Sequence, residues 1–479
     1  MNFSIIIYLL GMIFNLSAVL MLLPCGVALI YHESNGIYFL ITMAFCLLVG
    51  IPLTYRKPKK KAFYAREGYV TVALSWIILS CVGAAPFVLS KSIPHPIDAI
   101  FETVSGFTTT GASILSDIEA LSHCMLFWRS FTHWIGGMGV LVFMLAILPL
   151  TGGYHMNLMK AESPGPSVSK LRPKVQSTAK VLYAIYFGMT LVQILLLCIA
   201  RMPLFDSVCI AMGTAGTGGF ATLNAGVGAY TVVQQIIITI FMILFGVNFS
   251  VYYLVLMKKF KQAVKVEELR YYLGIIFAAI VLITWNSLHL FDNLFQAVQQ
   301  VAFQVGSIIT TTGFSTTDFD QWPVFSKTIL LFLMFVGACA GSTGGGIKVS
   351  RFVIMWKTLT KELHLYLHPS AVRKIKMDGK VVSHEVVRST NIFMFVYVVL
   401  FAVSLLVISL DNYDFTTNFS AVAATLNNIG PGLSAVGPTC NFGFYSYLSK
   451  IVFCVLMLAG RLEIFPMLLL FNRRTWKKF

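Results

Sequence analysis

Ten long apolar runs, separated by short polar connections, constrain this chain more than any other feature of its sequence. The runs cover residues 5–30, 36–55, 69–90, 124–150, 181–200, 230–257, 271–291, 323–350, 389–410 and 446–470. Each has about the 20 residues that a helix needs to cross the hydrocarbon layer of a bilayer. Because the connections leave no room for a soluble domain, the sequence predicts an all-α polytopic membrane protein.

Charge and composition agree with this prediction. The chain has 479 residues, of which 57% are hydrophobic and only 11% are charged, yet its net charge is +16. Such a charge is compatible with nucleic-acid binding, but the cytoplasmic loops of membrane proteins also collect Lys and Arg. Five clusters hold 28 of the 35 basic residues, and they lie at 56–66, 160–180, 258–270, 351–388 and 473–478. Since these clusters alternate with pairs of apolar runs, they indicate membrane topology and exclude a nucleic-acid surface.

The basic clusters also orient the chain. Placing all of them in the cytoplasm requires an even number of crossings between neighbouring clusters, which the apolar runs provide. The first charged residue is Glu33 and the first basic residue is Arg56. The first apolar run therefore lacks the positive segment of a cleaved signal peptide and is interpreted as a retained helix. We expect both termini in the cytoplasm.

Four Thr- and Gly-rich segments lie between pairs of apolar runs. They read FETVSGFTTTGAS at 101–113, CIAMGTAGTGGFAT at 209–222, FQVGSIITTTGFST at 303–316 and SAVAATLNNIGPGLS at 420–434. The segments are too short to cross the bilayer, and the runs on both sides end in the cytoplasm. Each segment is therefore predicted to enter the membrane from outside and return. The spacing of their central glycines indicates four repeats of about a hundred residues, each with a helix, a half-helix, a loop and a second helix.

The composition of the four loops points to a monovalent cation. The loop cores contain no Asp or Glu, so a ring of backbone carbonyls, with Thr hydroxyls below it, would replace the hydration shell of the ion. Glycine allows carbonyl orientations that a Cβ would obstruct. Close packing of helices through small residues is the competing interpretation. Two copies of T-T-T-G and two variants at equivalent places favour the cation site.

One aspartate stands at or before the start of each half-helix, and these residues are Asp98, Asp206, Asp292 and Asp414. A carboxylate at this position accepts hydrogen bonds from free N–H groups and complements the positive end of the helix dipole. We expect the four to be helix caps and not ion ligands.

These residues resemble the Trk/Ktr/HKT superfamily of potassium transporters over essentially the whole chain. The resemblance implies ten transmembrane helices, arranged as two leading helices and four M1–P–M2 repeats, similar to potassium-channel subunits, around one pore. It divides the chain into 1–66 for the leading helices and 67–180, 181–266, 267–380 and 381–479 for the four repeats. It also implies that the filter favours K⁺ over Na⁺.

The family's filter positions can be carried over residue by residue. The implied potassium-binding residues are Thr109, Thr110, Gly111, Thr217, Gly218, Gly219, Thr311, Thr312, Gly313, Asn428, Ile429 and Gly430. In the second loop Gly218 competes with Gly219 for the central position. In the fourth loop Gly432 competes with Gly430, because Pro431 interrupts the pattern.

A glycine run within the third repeat predicts a helix break. The segment Gly341–Ile347 contains four glycines within six residues, and each glycine destabilises a regular helix. Irregular backbone at membrane depth must be buried in protein or line a cavity. Arg461 lies in the last apolar run, where an unpaired charge costs roughly 2.5–3.5 kcal/mol. It is expected to face the pore, although pairing with Glu463 or with loop carbonyls is an alternative. The predicted gate residues are Gly341, Ser342, Thr343, Gly344, Gly345, Gly346, Lys348 and Arg461.

The resemblance implies gated, channel-like uptake of K⁺ across the bacterial inner membrane, with passage of Rb⁺ and weaker passage of Na⁺. K⁺ is the transported ion, and no organic cofactor is expected. The implied partners are a second copy of the chain in a homodimer, a cytoplasmic nucleotide-binding regulatory subunit of TrkA type (NAD or ATP type) and the lipid bilayer. A Na⁺- or H⁺-coupled symporter is the alternative, but the apolar runs are nearly free of the carboxylates that coupling would need. No catalytic motif is present, so the chain is not expected to be an enzyme.

Overall fold

The computed structural model describes residues 1–58, 64–139 and 175–477. Its α-helices are α1 (Phe3–Leu20), α2 (Leu22–Ile30), α3 (Gly36–Tyr55), α4 (Ala65–Leu89), α5 (Pro96–Phe107), α6 (His123–Met138), α7 (Val175–Ile199), α8 (Leu204–Gly216), α9 (Val232–Phe245), α10 (Phe249–Leu256), α11 (Phe260–Val264), α12 (Glu267–Ser287), α13 (Leu294–Ile309), α14 (Val324–Phe335), α15 (Val349–Leu367), α16 (His384–Ile408), α17 (Phe415–Leu426), α18 (Tyr447–Arg461) and α19 (Phe465–Phe471). Two strands, β1 (Lys376–Met377) and β2 (Lys380–Val381), pair as an antiparallel hairpin. Short 3₁₀ turns cover Gly226–Ala229, Leu288–Leu290, Phe319–Gln321, Ser409–Asp411, Ser434–Val436 and Arg473–Trp476.

Within the described ranges, six helical segments are long and apolar enough to cross a membrane. They are Phe3–Ile30, Gly36–Tyr55, Ala65–Leu89, Ala179–Ile199, Glu267–Leu290 and His384–Asp411. Helices α9 and α10 together form a seventh candidate that bends by 93°. The part of the predicted run 124–150 that follows Gly139, and the basic residues at 160–174, lie outside the described residues. The chain is a helical membrane protein with many apolar spans.

Four half-helices, α5, α8, α13 and α17, precede the Thr/Gly loops and contain only 12 to 16 residues. Asp414 caps α17, because its carboxylate accepts a hydrogen bond from the backbone N–H of Thr417 over 3.0 Å. The prediction that each of the four aspartates is a cap is wrong for the others, since His95 and Asn293 cap α5 and α13. The N-cap position of α8 is Pro203, which makes no side-chain hydrogen bond.

Two of the aspartates that do not cap a helix have other partners. Asp98, in the first turn of α5, pairs with Lys450 Nζ at 2.7 Å. Asp206, in the first turn of α8, accepts a hydrogen bond from Thr222 Oγ1 over 2.7 Å. Both carboxylates still lie at the positive end of the helix dipole.

The first half-helix is held by aromatic packing. Phe107 at its end meets the ring of Trp128 edge-on at a centroid distance of 6.0 Å, and the indole N–H of Trp128 donates to the carbonyl of Gly83 over 3.1 Å. A Cβ on Gly83 would stand 2.8 Å from the Phe107 ring, so glycine is needed for this approach. Because lipid tails are as apolar as these rings, the stabilisation comes from close packing and from the indole hydrogen bond. The three residues fix the position from which the first Thr/Gly loop leaves its helix.

Candidate ion pathway

The four Thr/Gly loops contact one another in chain order and close a ring. A Cβ placed on Gly111 would overlap the carbonyl of Gly218, and one on Gly219 would overlap the carbonyl of Thr312. In the same way, a Cβ on Gly313 would overlap the carbonyl of Ile429, and a Cβ on Gly430 would lie only 2.6 Å from the carbonyl oxygen of Thr110. The first loop therefore touches the second, the second the third, the third the fourth and the fourth the first.

The backbone conformation of the ring is the same in all four loops. The central glycines have φ of 78° at Gly111, 80° at Gly219, 81° at Gly313 and 98° at Gly430. The residues two places earlier also have positive φ, with 55° at Thr109, 56° at Thr217, 58° at Thr311 and 56° at Asn428. Gly218 and Gly432 do not share this conformation. The repeated geometry favours Gly219 and Gly430 as the equivalents of Gly111 and Gly313.

The polar side chains of the ring are buried and bonded to one another. The hydroxyls of Thr108 and Thr110 are 2.8 Å apart, and those of Thr310 and Thr312 are 2.7 Å apart. Asn428 donates to the Thr110 hydroxyl over 3.0 Å and so joins the fourth loop to the first. All four central glycines line one cavity of about 370 Å³ on the side of the residues that follow them. The ring can therefore present neutral oxygens to an ion that enters from this cavity.

A buried ion pair lies behind the first two loops. Arg129 on α6 donates from Nε and Nη2 to Glu102 on α5, over 2.9 and 2.8 Å. Glu102 also accepts hydrogen bonds from the Ser113 hydroxyl and the Ile114 N–H. The side chains of the pair are at most 2% exposed. The carboxylate of Glu102 supplies the partner that allows this arginine to be buried.

His133, one helical turn after Arg129, also reaches both loops. Its Nδ1 lies 2.7 Å from the carbonyl oxygen of Gly106, and its Nε2 accepts from the Phe220 N–H over 3.2 Å. The ring is completely buried. His133 is not among the site residues that the sequence predicted. The available signal was its spacing of four residues from Arg129, which places both side chains on one helix face.

The segment 336–348, which we call the interrupting loop, separates α14 from α15 and contains the predicted glycine run. Its two ends are joined, because Gly337 N–H donates to Ile347 over 2.7 Å and Val349 N–H donates to Ala338 over 3.2 Å. Its middle lies against the ring, where Gly345 N–H donates to the Thr311 hydroxyl over 2.6 Å. The loop thus packs against the filter candidate on the side of the threonines.

The bend between α9 and α10 receives the interrupting loop. Cys339 N–H donates to the carbonyl of Gly246, and the N–H of Phe249 donates to the carbonyl of Gly341, each over 3.0 Å. The Thr343 hydroxyl donates to Phe245 O over 3.2 Å. A bent helix at membrane depth releases backbone groups that must find partners, and the loop supplies them. The bend was not predicted, because 230–257 is a single apolar run in the sequence.

Two basic side chains hold the interrupting loop by its carbonyls. Lys348 donates to Gly344 O and to Gly345 O. Arg461 donates to Thr343 O over 2.7 Å, and its other end donates to the carbonyls of Gly136 and Gly137 at the end of α6. Of the alternatives for Arg461, the structure shows bonding to carbonyls, whereas Glu463 pairs with Arg351.

Glu268 on α12 fixes both ends of the interrupting loop. One carboxylate oxygen accepts the N–H of Ala340 over 2.7 Å and the N–H of Ser350 over 3.0 Å. The side chain is buried, and sequence reasoning did not single it out. No motif marks it, because its two partners lie 72 and 82 residues away in the chain.

The chain is similar to proteins of known family along its whole length. A sequence model of the TrkH family, described as "Cation transport protein", matches residues 35–478. The Trk system potassium uptake proteins TrkH of Salmonella typhimurium and of Escherichia coli K12 are each 37% identical over 486 residues, covering all of both chains. The Trk system potassium uptake protein TrkG of Escherichia coli K12 is 33% identical over 99% of this chain and 98% of its own.

The chain is also similar to a solved structure of a TrkH protein. The crystal structure of the potassium transporter TrkH from Vibrio parahaemolyticus superposes with a TM-score of 0.89 at 34% identity and covers all of both chains. These are transport proteins and not enzymes. The chain belongs to the TrkH family of cation transport proteins.

Proposed function

We propose that this protein takes up K⁺ across the bacterial inner membrane through one gated, channel-like pore. The closed ring of four loops, whose central glycines all have positive φ, carries this proposal. Its twelve filter residues are those at 109–111, 217–219, 311–313 and 428–430, and K⁺ and Rb⁺ bind to their oxygens better than Na⁺. The relatives that are named as potassium uptake proteins support this choice of ion.

The same proposal assigns ten membrane crossings to the chain. Two leading helices in 1–66 precede four repeats with the bounds 67–180, 181–266, 267–380 and 381–479. The described spans and the similarity to the Vibrio parahaemolyticus transporter over the full length support this division. Both termini then lie in the cytoplasm with the basic clusters.

We assign the gate to the interrupting loop together with Lys348 and Arg461. The loop lies against the threonine side of the ring, and its backbone carbonyls accept hydrogen bonds from the positively charged side chains of Lys348 and Arg461. A fixed positive charge on the ion path raises the electrostatic barrier to cations. Deleting residues within 341–346 is expected to raise cation flux.

We further propose that the chain works as a homodimer under the control of a cytoplasmic nucleotide-binding subunit of TrkA type. The relatives are named as parts of a Trk system, which supports a multicomponent transporter. The basic segment 357–388, which contains the β1–β2 hairpin, is the proposed contact with that subunit.

Coupling to Na⁺ or H⁺ is less well supported than passive uptake. Coupling needs an intramembrane carboxylate that is available to bind the second ion. Glu102, Glu268 and Glu463, which are buried, already accept hydrogen bonds or pair with arginine in the described structure.

Tracer Rb⁺ and Na⁺ uptake into proteoliposomes tests the proposal. The native protein should prefer Rb⁺, and Gly111→Ser should lower this preference because a Cβ there meets the carbonyl of Gly218 at a positive φ. Gly188→Ser is the matched control, since a Cβ at Gly188 has open space. Native protein without Rb⁺ preference would contradict the function, and an unchanged preference in Gly111→Ser would contradict the assignment of the filter.

A further inference from the structure

His133 joins two of the four loops through one imidazole ring. Nδ1 faces the carbonyl of Gly106, in the last turn of the first half-helix, and Nε2 faces the N–H of Phe220, directly after the central glycine of the second loop. Phe220 has further contacts, because its ring lies 4.2 Å from the imidazole and the Arg129 guanidinium lies 4.1 Å above it. The residue that follows Gly219 is thus held at both its backbone and its side chain.

The two hydrogen bonds define the protonation of the ring. The N–H of Phe220 is a donor, so Nε2 must be without a proton, and the carbonyl of Gly106 is an acceptor, so Nδ1 must carry one. This is the neutral imidazole in a single tautomer. Both partners are backbone groups, so neither can rotate away independently of its loop.

The bond to Phe220 fixes the direction of a carbonyl in the ring. The N–H of Phe220 and the C=O of Gly219 belong to the same trans peptide plane and point in opposite directions. When the N–H points at His133, which lies behind the loop, the carbonyl of Gly219 points toward the space that the four loops surround. The fourth loop has no such N–H, because Pro431 follows Gly430.

We propose that His133 is a positioning residue for ion selectivity, which holds the Gly219 carbonyl toward the ion and couples the first loop to the second. The inference rests on the proposed function. Rotation of that peptide would remove one of four oxygens from its layer and put an N–H in its place. Four oxygens in this layer replace part of the hydration shell of K⁺, so the loss of one oxygen weakens K⁺ binding and lowers the preference for K⁺ over Na⁺.

Three variants at one position test this role. His133→Gln keeps a donor and an acceptor, since its amide N–H can face Gly106 and its amide oxygen can face Phe220. His133→Leu and His133→Met fill the space without either bond. Thr190→Val is the matched control, because it removes the partly buried hydrogen bond that Trp134, the residue after His133, donates to the Thr190 hydroxyl, and it touches neither hydrogen bond of His133. Each variant is compared in tracer Rb⁺ and Na⁺ uptake, and its melting temperature in detergent is measured.

We expect the Rb⁺ to Na⁺ uptake ratio to fall about fivefold or more in the leucine and methionine variants, on the scale of one lost buried hydrogen bond. The glutamine variant and Thr190→Val should keep the native ratio. If one of the two apolar variants does not fold, the uptake ratio of the other tests the role of His133. A native ratio in a folded apolar variant, or an equal loss in the glutamine variant, would overturn the role of His133. Native protein without Rb⁺ preference would instead contradict the proposed function itself.

Discussion

Arg461 and Thr343 are joined by a hydrogen bond of 2.7 Å from the guanidinium to the backbone carbonyl, which links the last long helix of the chain to the interrupting loop. The same guanidinium also donates to the carbonyls of Gly136 and Gly137 at the end of α6. One side chain of α18 therefore connects the interrupting loop to the end of α6.

Replacing Arg461 by alanine should raise basal cation flux, because it removes both the positive charge and the bond that holds Thr343. Tracer Rb⁺ uptake into proteoliposomes measures the change. Arg473→Ala is the control, since Arg473 is an exposed basic residue near the same end of the chain. Flux that equals the native value in Arg461→Ala would place the barrier to ions elsewhere.

Glu268→Ala should release the interrupting loop and raise basal flux. The substitution leaves the N–H groups of Ala340 and Ser350 unpaired, at a cost of about 1–3 kcal/mol for each buried group. Glu268→Gln keeps an acceptor oxygen and should stay close to native. The neighbouring Glu267→Ala is the control, since Glu267 pairs with Lys357 where both side chains are more than a fifth exposed. Equal flux in the alanine variants at 267 and 268 would show that the carboxylate of Glu268 does not restrain the loop.

Breaking the Glu102–Arg129 pair should destabilise the protein strongly. Removing one partner leaves a buried charge and costs about 3–5 kcal/mol, so Glu102→Gln and Arg129→Met should each lower the melting temperature in detergent. The double variant Glu102→Gln, Arg129→Met should recover part of the loss, because no charge is then left unpaired. A double variant that is destabilised by the sum of the two single effects would contradict an interaction between the pair.

Asp414 should make stability sensitive to acid. Hydrogen bonds from the Thr417 side chain and backbone hold the pKa of this carboxyl below its ordinary value. Its stabilising contribution is therefore present above about pH 4, near the ordinary pKa, and is lost as the pH falls through the lowered pKa. Melting temperatures between pH 7 and pH 3 should fall more steeply for the native protein than for Asp414→Asn, which keeps a capping side chain that does not titrate. Parallel pH profiles for the two proteins would show that Asp414 does not contribute in this way.

The sequence predicted the parts of the structure that repeat. The T-T-T-G segments and their spacing indicate four loops, and Gly341–Ile347 indicates an interruption, because both depend on local backbone preferences of glycine. Sequence alone left the register of the second and fourth loops open, since Gly218 and Gly432 are as permissive as Gly219 and Gly430; of these four, Gly219 and Gly430 have the positive φ of Gly111 and Gly313.

The contacts between residues far apart in the chain could not be predicted from one sequence. Glu102 and Arg129 are separated by 27 positions, and Glu268 is separated by 72 from Ala340. No local pattern links such residues, because their proximity depends on how the half-helices pack. The bend after Phe245 could not be predicted for the same reason, since its released backbone groups bond to residues 339–343 of the interrupting loop.

The closed ring of four loops has a consequence for how such a protein can change. Because the loops belong to one polypeptide, a point mutation alters a single quarter of the ring, whereas the same mutation in an assembly of four identical subunits alters every quarter at once. Ion preference can therefore be adjusted in small steps during evolution. Asn428 and Ile429, which stand where the first and third loops have threonines, are two such single-quarter changes.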